Sequence, residues 1–310
     1  MSSSHDRTAS LMTPAKLAQV AAAARAPASP SAYLDQMAAD VGHQHVTRLS
    51  ELCTELQRQS GASQAATIQP ALQQFAQALP QLDFDLLQPR GFWAGLTGKS
   101  RSAAAEFAAQ FEQLEEAAQS LAAAAPAVQK EQQPHAAASD RTLVEFEVEY
   151  RALDGVIDQG ARWLQDMRNQ LKTREAEAAG DPAAQAKVRE DAGRCEILVG
   201  RLKALRAAAA ASQQAHQHAR ATAQRRAALM QAIQKCIVTD VKEWRSTLSR
   251  LAAAASEGKT GLKVEESREE HATLQQRIGQ LLADCAQLRT DEDSLVRQLG
   301  EMGRALAAAA

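Results

Sequence analysis

The chain has 310 residues, of which 45% are hydrophobic and only 4% are aromatic. Much of the hydrophobic share is alanine, which favours helices but buries little apolar area. The formal net charge is −2, with acidic and basic residues interspersed. This balance argues against general nucleic-acid binding, which needs a clustered positive surface. The sequence has no apolar run of the length that crosses a bilayer. We therefore expect a soluble, helical protein.

The first 31 residues mix Ser, Ala and Pro around one short amphipathic run from Leu11 to Ala24. They lack the apolar core of a secretory signal. They also offer few large apolar groups to offset the entropy of ordering. We expect residues 1–31 to be disordered and ordered structure to begin near Ala32.

Residues 32–100 predict two helices followed by an irregular connection. The apolar spacing indicates one helix that ends before Gly61 and a second that ends at Pro80. The connection, residues 81–100, is interrupted by one proline and three glycines. The apolar positions of the two helices are Leu34, Met37, Val41, Leu49, Leu52 and Leu56, then Ile68, Leu72, Phe75 and Leu79.

Long apolar seams begin after residue 100. The first runs from Phe107 to Leu121 in steps of four and three, and we expect its helix to end before Pro126 or, if kinked, before Pro134. A second seam runs from Leu143 to Leu171 and includes Gly160, which would let a partner backbone approach closely. Residues 143–150 also alternate apolar and acidic side chains as a strand would. We reject the strand because no second run could pair with it.

Two turn signals divide the rest of the chain, at Gly180-Asp181-Pro182 and at Gly258-Lys259-Thr260-Gly261. They predict long antiparallel arms. Between Arg201 and Glu257 there is no glycine or proline, so one helix on the order of 80 Å long is expected. Its apolar stripe is confined to the half beginning near Met230. The alanine-rich half, residues 207–228, is where we expect a binding groove or a bend.

A last seam runs from Leu274 to Leu306, and only Glu292 interrupts it. A charged residue at a core heptad position fixes the register or faces solvent. The predicted fold is all-α: an elongated bundle of long antiparallel helices, residues 101–308, with a smaller N-terminal helical region, residues 32–100. The seams suit either a monomer or a homodimer.

Residues with catalytic or metal-binding potential form no recognisable site. Residues 95–100, Gly-Leu-Thr-Gly-Lys-Ser, lack the first glycine of a phosphate-binding loop and the strand that must precede it. The pairs His43/His45 and His216/His218 fall in predicted helices, where residues two apart point to nearly opposite faces. Cys53, Cys195, Cys236 and Cys285 are isolated, which predicts reduced thiols in a cytosolic protein. We therefore predict no catalytic, cofactor-binding or metal-binding residues, and no enzyme activity.

The densest aromatic and cationic cluster comprises Phe92, Trp93, Leu96, Lys99 and Arg101. A tryptophan with basic flanks could contact an anionic membrane surface or a protein partner. The alternative, which the shortness of the cluster favours, is that the aromatic residues pack this loop onto a neighbouring helix.

Two segments carry a family resemblance. Residues 91–99, Gly-Phe-Trp-Ala-Gly-Leu-Thr-Gly-Lys, with the helix of Phe107 after them, resemble the early signature of the toxic anion resistance (TelA-like, tellurite resistance) family. Residues 233–245, which end in Trp244 and Arg245, resemble the long helix of that family that reaches a tryptophan followed by a basic residue. The resemblance covers roughly residues 32–306. The chain departs from it in having no proline just before Trp244 and no asparagine after Gly261.

This resemblance implies a cytoplasmic bacterial protein, peripheral to the inner membrane at most, that acts in resistance to tellurite and related stresses without a catalytic site. We expect a non-enzymatic helical scaffold that acts through protein partners or the membrane surface. The alternative is a general coiled-coil adaptor unrelated to oxyanions.

Overall fold

The computed structural model describes residues 41–61, 65–88, 99–259 and 261–309, and every element in these ranges is helical. The predicted all-α class is confirmed. Two 3₁₀ turns, Leu79–Gln81 and Phe84–Leu87, follow the second helix, and a π-helical segment, Cys236–Val241, follows the fourth. The α-helices are α1 (His43–Gly61), α2 (Ala65–Ala78), α3 (Lys99–Glu177), α4 (Pro182–Lys235), α5 (Lys242–Ser256) and α6 (Val264–Ala309).

The chain divides into two compact units, each assembled from segments far apart in sequence. Unit 1 comprises Met1–Glu51, Glu147–Gln213 and Met302–Ala310, and unit 2 comprises Leu52–Phe146 and Gln214–Glu301. The long helices α3 and α4 contribute to both. The predicted division into 1–31, 32–100 and 101–308 stays a prediction.

In unit 1 the end of α3 and the start of α4 are joined by the predicted turn. Gly180 has φ +102°, a conformation that favours glycine. The Asp181 carboxylate accepts hydrogen bonds from the backbone N–H groups of Ala183 and Ala184, which caps α4. The antiparallel arms are therefore confirmed. Their buried seam includes Leu153, Ile157, Leu164, Leu171, Leu198, Leu202 and Leu205.

Two glycines in unit 1 correct the sequence-based expectations. The helix predicted to run through Val41 instead begins at His43, because Gly42 forms a turn with φ +74°. A Cβ atom there would lie 3.0 Å from Leu153 and Leu205. At Gly160 the close neighbour is the side chain of Leu202, whose Cδ2 would lie 2.9 Å from an added Cβ, rather than a partner backbone.

Unit 2 has a continuous hydrophobic core to which α2, α3, α4, α5 and α6 contribute. Phe75, Phe107 and Leu121 are fully buried in it. At the end of the part of α3 that belongs to unit 2, Leu143 and Phe146 are buried while Val144 is 62% exposed. This spacing is that of a helix, so the rejection of the strand alternative at residues 143–150 is confirmed.

The prediction that a helix ends before Pro126 or Pro134 is wrong. Both prolines lie inside α3, which continues for 79 residues. Each proline removes one backbone hydrogen bond, at a cost of about 3 kcal/mol in a helix interior. Buried Leu121 and Val128 flank Pro126, and buried Leu143 follows Pro134. We attribute the continuity of the helix to this packing, which outweighs the lost backbone bonds.

The expected long helix between the two turns exists, but it is not α-helical throughout. It begins at Pro182 and passes through Cys236–Val241 in the wider π geometry before α5 continues. The turn predicted at residues 258–261 is confirmed, since Gly258 and Gly261 both have positive φ and α6 begins at Val264.

Candidate functional site

The aromatic and cationic cluster predicted from sequence lies largely outside the described residues. Phe92, Trp93 and Leu96 lie outside the described residues. Lys99 and Arg101 lie in the first turn of α3. The role of this cluster as a membrane or partner contact stays a prediction.

The two histidine pairs do not form metal sites in the described residues. His45 Nδ1 lies 2.8 Å from Glu149 Oε2, and His218 Nδ1 lies 2.7 Å from Gln298 Oε1. His216 is buried, and its ring stacks on Phe146 at 6.3 Å between centroids. Among the described residues no group of three or more His, Cys, Asp or Glu side chains could hold a metal ion.

Unit 2 contains a group of buried or half-buried polar side chains besides its hydrophobic core. We call it the polar belt; it comprises Gln59, His135, Ser139, Thr142, His216, Arg226 and Glu292. These residues come from α1, α3, α4 and α6. Gln59 donates through Nε2 to Thr142 Oγ1 at 3.0 Å, and its backbone carbonyl accepts from His135 Nε2 at 3.0 Å. The polar belt therefore joins α1 to α3.

The strongest contact in the polar belt is the ion pair between Arg226 on α4 and Glu292 on α6. Nε and Nη2 of Arg226 lie 2.8 and 2.7 Å from Glu292 Oε1, and the two side chains are 8% and 3% exposed. The second carboxylate oxygen, Oε2, is buried without a hydrogen-bond partner. The solvent-facing alternative for Glu292 is thus wrong. The register alternative stays a prediction, which the ion pair supports because a buried charge needs its partner at one axial position.

A cavity of about 330 Å³ lies beside the polar belt, between α3 and α4. We call it the α3–α4 cavity. Its polar lining comes from Arg220, Gln224 and Arg226 on α4 and from Gln132, His135, Ser139 and Asp140 on α3. Ala136, Ala223 and Ala227 complete it with Leu143. The cavity lies in the alanine-rich half of α4, where a binding groove or a bend is expected, and small side chains there leave the seam unfilled.

A second depression, of about 310 Å³, lies where α3 passes the π-helical segment. Ala122, Pro126, Ile237 and Val238 supply apolar surface, and Val238 is 59% exposed. Arg245 at its edge is paired with Glu115. This hydrogen-bonded pair lowers the pKa of Glu115 and raises that of Arg245.

Trp244 belongs to the core, as predicted, and is 3% exposed. Its indole Nε1–H donates to His271 Nδ1 at 3.1 Å, and His271 Nε2–H donates to the carbonyl of Leu79 at 3.0 Å. Both ring nitrogens of His271 are thereby used in its neutral form. Burial lowers the pKa of His271. This chain of hydrogen bonds fixes the 3₁₀ turn after α2 to α5 and α6.

All four cysteines are buried and unpaired. Burial raises the pKa of Cys53 and Cys236 to about 12 and that of Cys285 to about 11, and it also raises the pKa of Cys195. The thiolate is the nucleophile and metal ligand, so burial and the raised pKa values disfavour reaction at these side chains in the folded state.

Comparison with models of known protein families identifies the family of this chain. The model of the toxic anion resistance protein (TelA) family matches residues 32–288. The chain belongs to the TelA family. The match confirms the resemblance seen at residues 91–99 and 233–245, and it includes every residue that lines the α3–α4 cavity. Glu292 lies beyond the matched span. Searches of curated proteins and of solved structures found no match.

The sequence of this TelA-family chain pointed to the alanine-rich half of α4, but it did not predict which polar residues line the cavity there. Arg220 and Ser139 lie 81 positions apart and belong to no short motif. A helical spacing signal was nevertheless present, because Gln132, Ala136, Ser139 and Leu143 recur at threes and fours on α3, as do Arg220, Ala223, Gln224 and Ala227 on α4.

The Arg226–Glu292 pair can be tested by removing one or both charges. We expect Glu292→Ala to lower the free energy of unfolding by about 3–5 kcal/mol, because it leaves a buried guanidinium without compensation. The double variant Arg226→Met/Glu292→Leu should recover most of that loss. Urea denaturation measures both. The control is Arg225→Ala, which breaks a more exposed pair with Asp291 and should cost under about 1 kcal/mol. An equal cost for Glu292→Ala and Arg225→Ala would contradict the structural role of the pair.

His271 predicts loss of stability at acidic pH. Its folded-state pKa lies below the ordinary value of 6.5, so the unfolded chain binds the proton more readily. The free energy of unfolding should therefore fall as the pH drops through about 6.5 toward the folded-state pKa. In His271→Gln, thermal unfolding followed by circular dichroism should show a shallower decline than in the wild type between about pH 7.5 and pH 5. Parallel pH profiles for the two proteins would contradict the assignment.

Proposed function

We propose that this TelA-family protein is a non-enzymatic helical scaffold in resistance to tellurite and related toxic anions, or to envelope stress. Family membership supports the link to toxic anions. The observation that carries the scaffold role is that the buried ionisable side chains of unit 2 join helices to one another. Arg226 pairs with Glu292, and His271 links Trp244 to Leu79. These contacts hold segments of unit 2 together, which supports a packing role for the three side chains Arg226, Glu292 and His271.

A thiol reaction with the toxic anion is the main chemical alternative. Reduction of an oxyanion by the protein itself would need an accessible thiolate. The burial of Cys53, Cys195, Cys236 and Cys285 and their raised pKa values favour the scaffold over this reaction.

A complementation experiment separates the scaffold from thiol chemistry. Deletion of the gene should lower the tellurite concentration that the host tolerates, and the wild-type gene should restore it. A variant with all four cysteines replaced by alanine should restore tolerance equally, provided that circular dichroism shows that it folds. Growth in a tellurite dilution series is the measurement. Failure of the folded four-cysteine variant to restore tolerance would favour the thiol reaction. Unchanged tolerance after deletion, together with capture of one specific partner in pull-downs from the host, would favour the adaptor unrelated to oxyanions.

We also propose a peripheral membrane or partner contact through the cluster of Phe92, Trp93, Leu96, Lys99 and Arg101. Among the described residues no helix is long and apolar enough to cross a bilayer. Interfacial tryptophan and basic side chains are the residues that hold a protein at a lipid surface.

Liposome co-sedimentation tests the membrane contact. Wild-type protein should pellet with vesicles that contain anionic phospholipid, and Trp93→Ala should pellet less, because it removes the interfacial ring. The matched control is Ile197→Ala, which removes an apolar side chain that is 63% exposed on α4. Equal pelleting of the wild type and Trp93→Ala would exclude the contact.

A further inference from the structure

The α3–α4 cavity has hydrogen-bond donors that the protein itself does not use. The guanidinium of Arg220 takes part in no hydrogen bond or ion pair within the described residues, and Arg220 lines the cavity. An unpaired guanidinium carries five N–H donors in a fixed planar geometry that matches an oxyanion. Arg220 is exposed to solvent, as Asp140 is, and of the two arginines that line the cavity it is the one that forms no ion pair within the described residues.

Ser139 supplies a second, independent donor. Ser139 is only 6% exposed and lines the cavity from the α3 side. Its hydroxyl has no hydrogen-bond partner among the described residues. The Ser139 hydroxyl is not among the fully buried polar atoms that lack a partner, so it is open to the cavity. It is therefore available to a ligand or a water there.

Arg226 completes the donor set. It bonds Glu292 Oε1 through Nε and Nη2, while its third guanidinium nitrogen, Nη1, makes no hydrogen bond within the described residues. Glu292 does not line the cavity. The pair therefore holds Arg226 rigidly at the cavity wall, so that little side-chain entropy is lost when a ligand binds.

One acidic residue, Asp140, lines the cavity and opposes an anion. Asp140 is exposed to solvent, where water screens its charge. Neutralising Asp140 should therefore strengthen anion binding, whereas removing Arg220 should weaken it.

We propose that the α3–α4 cavity binds a small inorganic oxyanion, with Arg220 as the charged contact and the Ser139 hydroxyl as a hydrogen-bond donor. The volume of about 330 Å³ accommodates such an ion together with several waters, each of which takes about 30 Å³. Tellurite, as the particular ion, rests on the proposed function in anion resistance. The geometry itself requires only several oxygen acceptors and negative charge.

Isothermal titration calorimetry of the full chain in thiol-free buffer tests the site, with tellurite, selenite, phosphate and sulfate as separate titrants. Tellurite should bind to the wild type, and added salt should weaken the binding because a partly exposed charge pair is screened. Arg220→Ala should raise the Kd about tenfold or more through loss of a charge-assisted hydrogen bond.

Three further variants fix the contributions of single residues. Ser139→Ala should raise the Kd about fivefold, since it removes one hydrogen bond. Asp140→Asn should lower the Kd about threefold, because it removes a like charge. The matched control is Arg189→Ala, which removes an exposed arginine on the same helix, 31 positions before Arg220, and should leave the Kd unchanged. Circular dichroism confirms that each variant folds.

Absence of binding by all four anions at millimolar concentration would overturn the inference, as would an equal Kd in Arg220→Ala and the wild type. Binding of phosphate or sulfate without tellurite would overturn the assigned ligand. The test is separable from that of the proposed function. Tolerance that depends on the gene, without binding in solution, contradicts the site alone; binding without any change of tolerance on deletion contradicts the function alone.

Discussion

The seam between α3 and α4 in unit 2 has few large apolar side chains where it borders the cavity. Where α4 is rich in alanine, a close-packed core cannot form from side chains of that size, and polar residues occupy the interior instead. The polar belt lies beside this seam: Gln59 on α1 bonds both Thr142 and His135 on α3, and Arg226 on α4 pairs with Glu292 on α6. The space that remains is the α3–α4 cavity. The alanines of α4 thus border the candidate binding site, and the polar network lies next to it.

The buried ion pair between Arg226 and Glu292 gives the contact of α4 with α6 a specificity that apolar side chains alone lack. Apolar stripes of Leu and Ala tolerate axial shifts by one heptad, because one layer is much like the next. A carboxylate that is 3% exposed has only one favourable position, opposite its guanidinium. The same pair holds Arg226 at the wall of the cavity. Register and the geometry of the candidate site therefore depend on one interaction between α4 and α6.

The region around Trp244 obeys a different constraint, since large side chains fill it. Phe75 and Phe111 pack edge-on against the indole at 5.6 and 6.2 Å between ring centroids. His271 satisfies the one polar atom of the indole and then a carbonyl of the 3₁₀ turn. This closed network accounts for the tight attachment of the connection after α2, and its only donors and acceptors are already used. We therefore expect this network to make the free energy of unfolding depend on pH, and not to bind a ligand.

The sequence by itself determined the helical class, the turns at Gly180 and Gly258, the core position of Trp244 and the family, because these depend on local spacing and on motifs. It also located a groove in the alanine-rich half of α4. It misplaced the helix end at Pro126, since packing of distant segments offset the local cost of proline. Only the tertiary structure decided that Glu292 is buried against Arg226 and that Ser139 and Arg220 line one cavity. Those pairings depend on which faces of separate helices meet, and helical spacing alone does not fix that axial alignment.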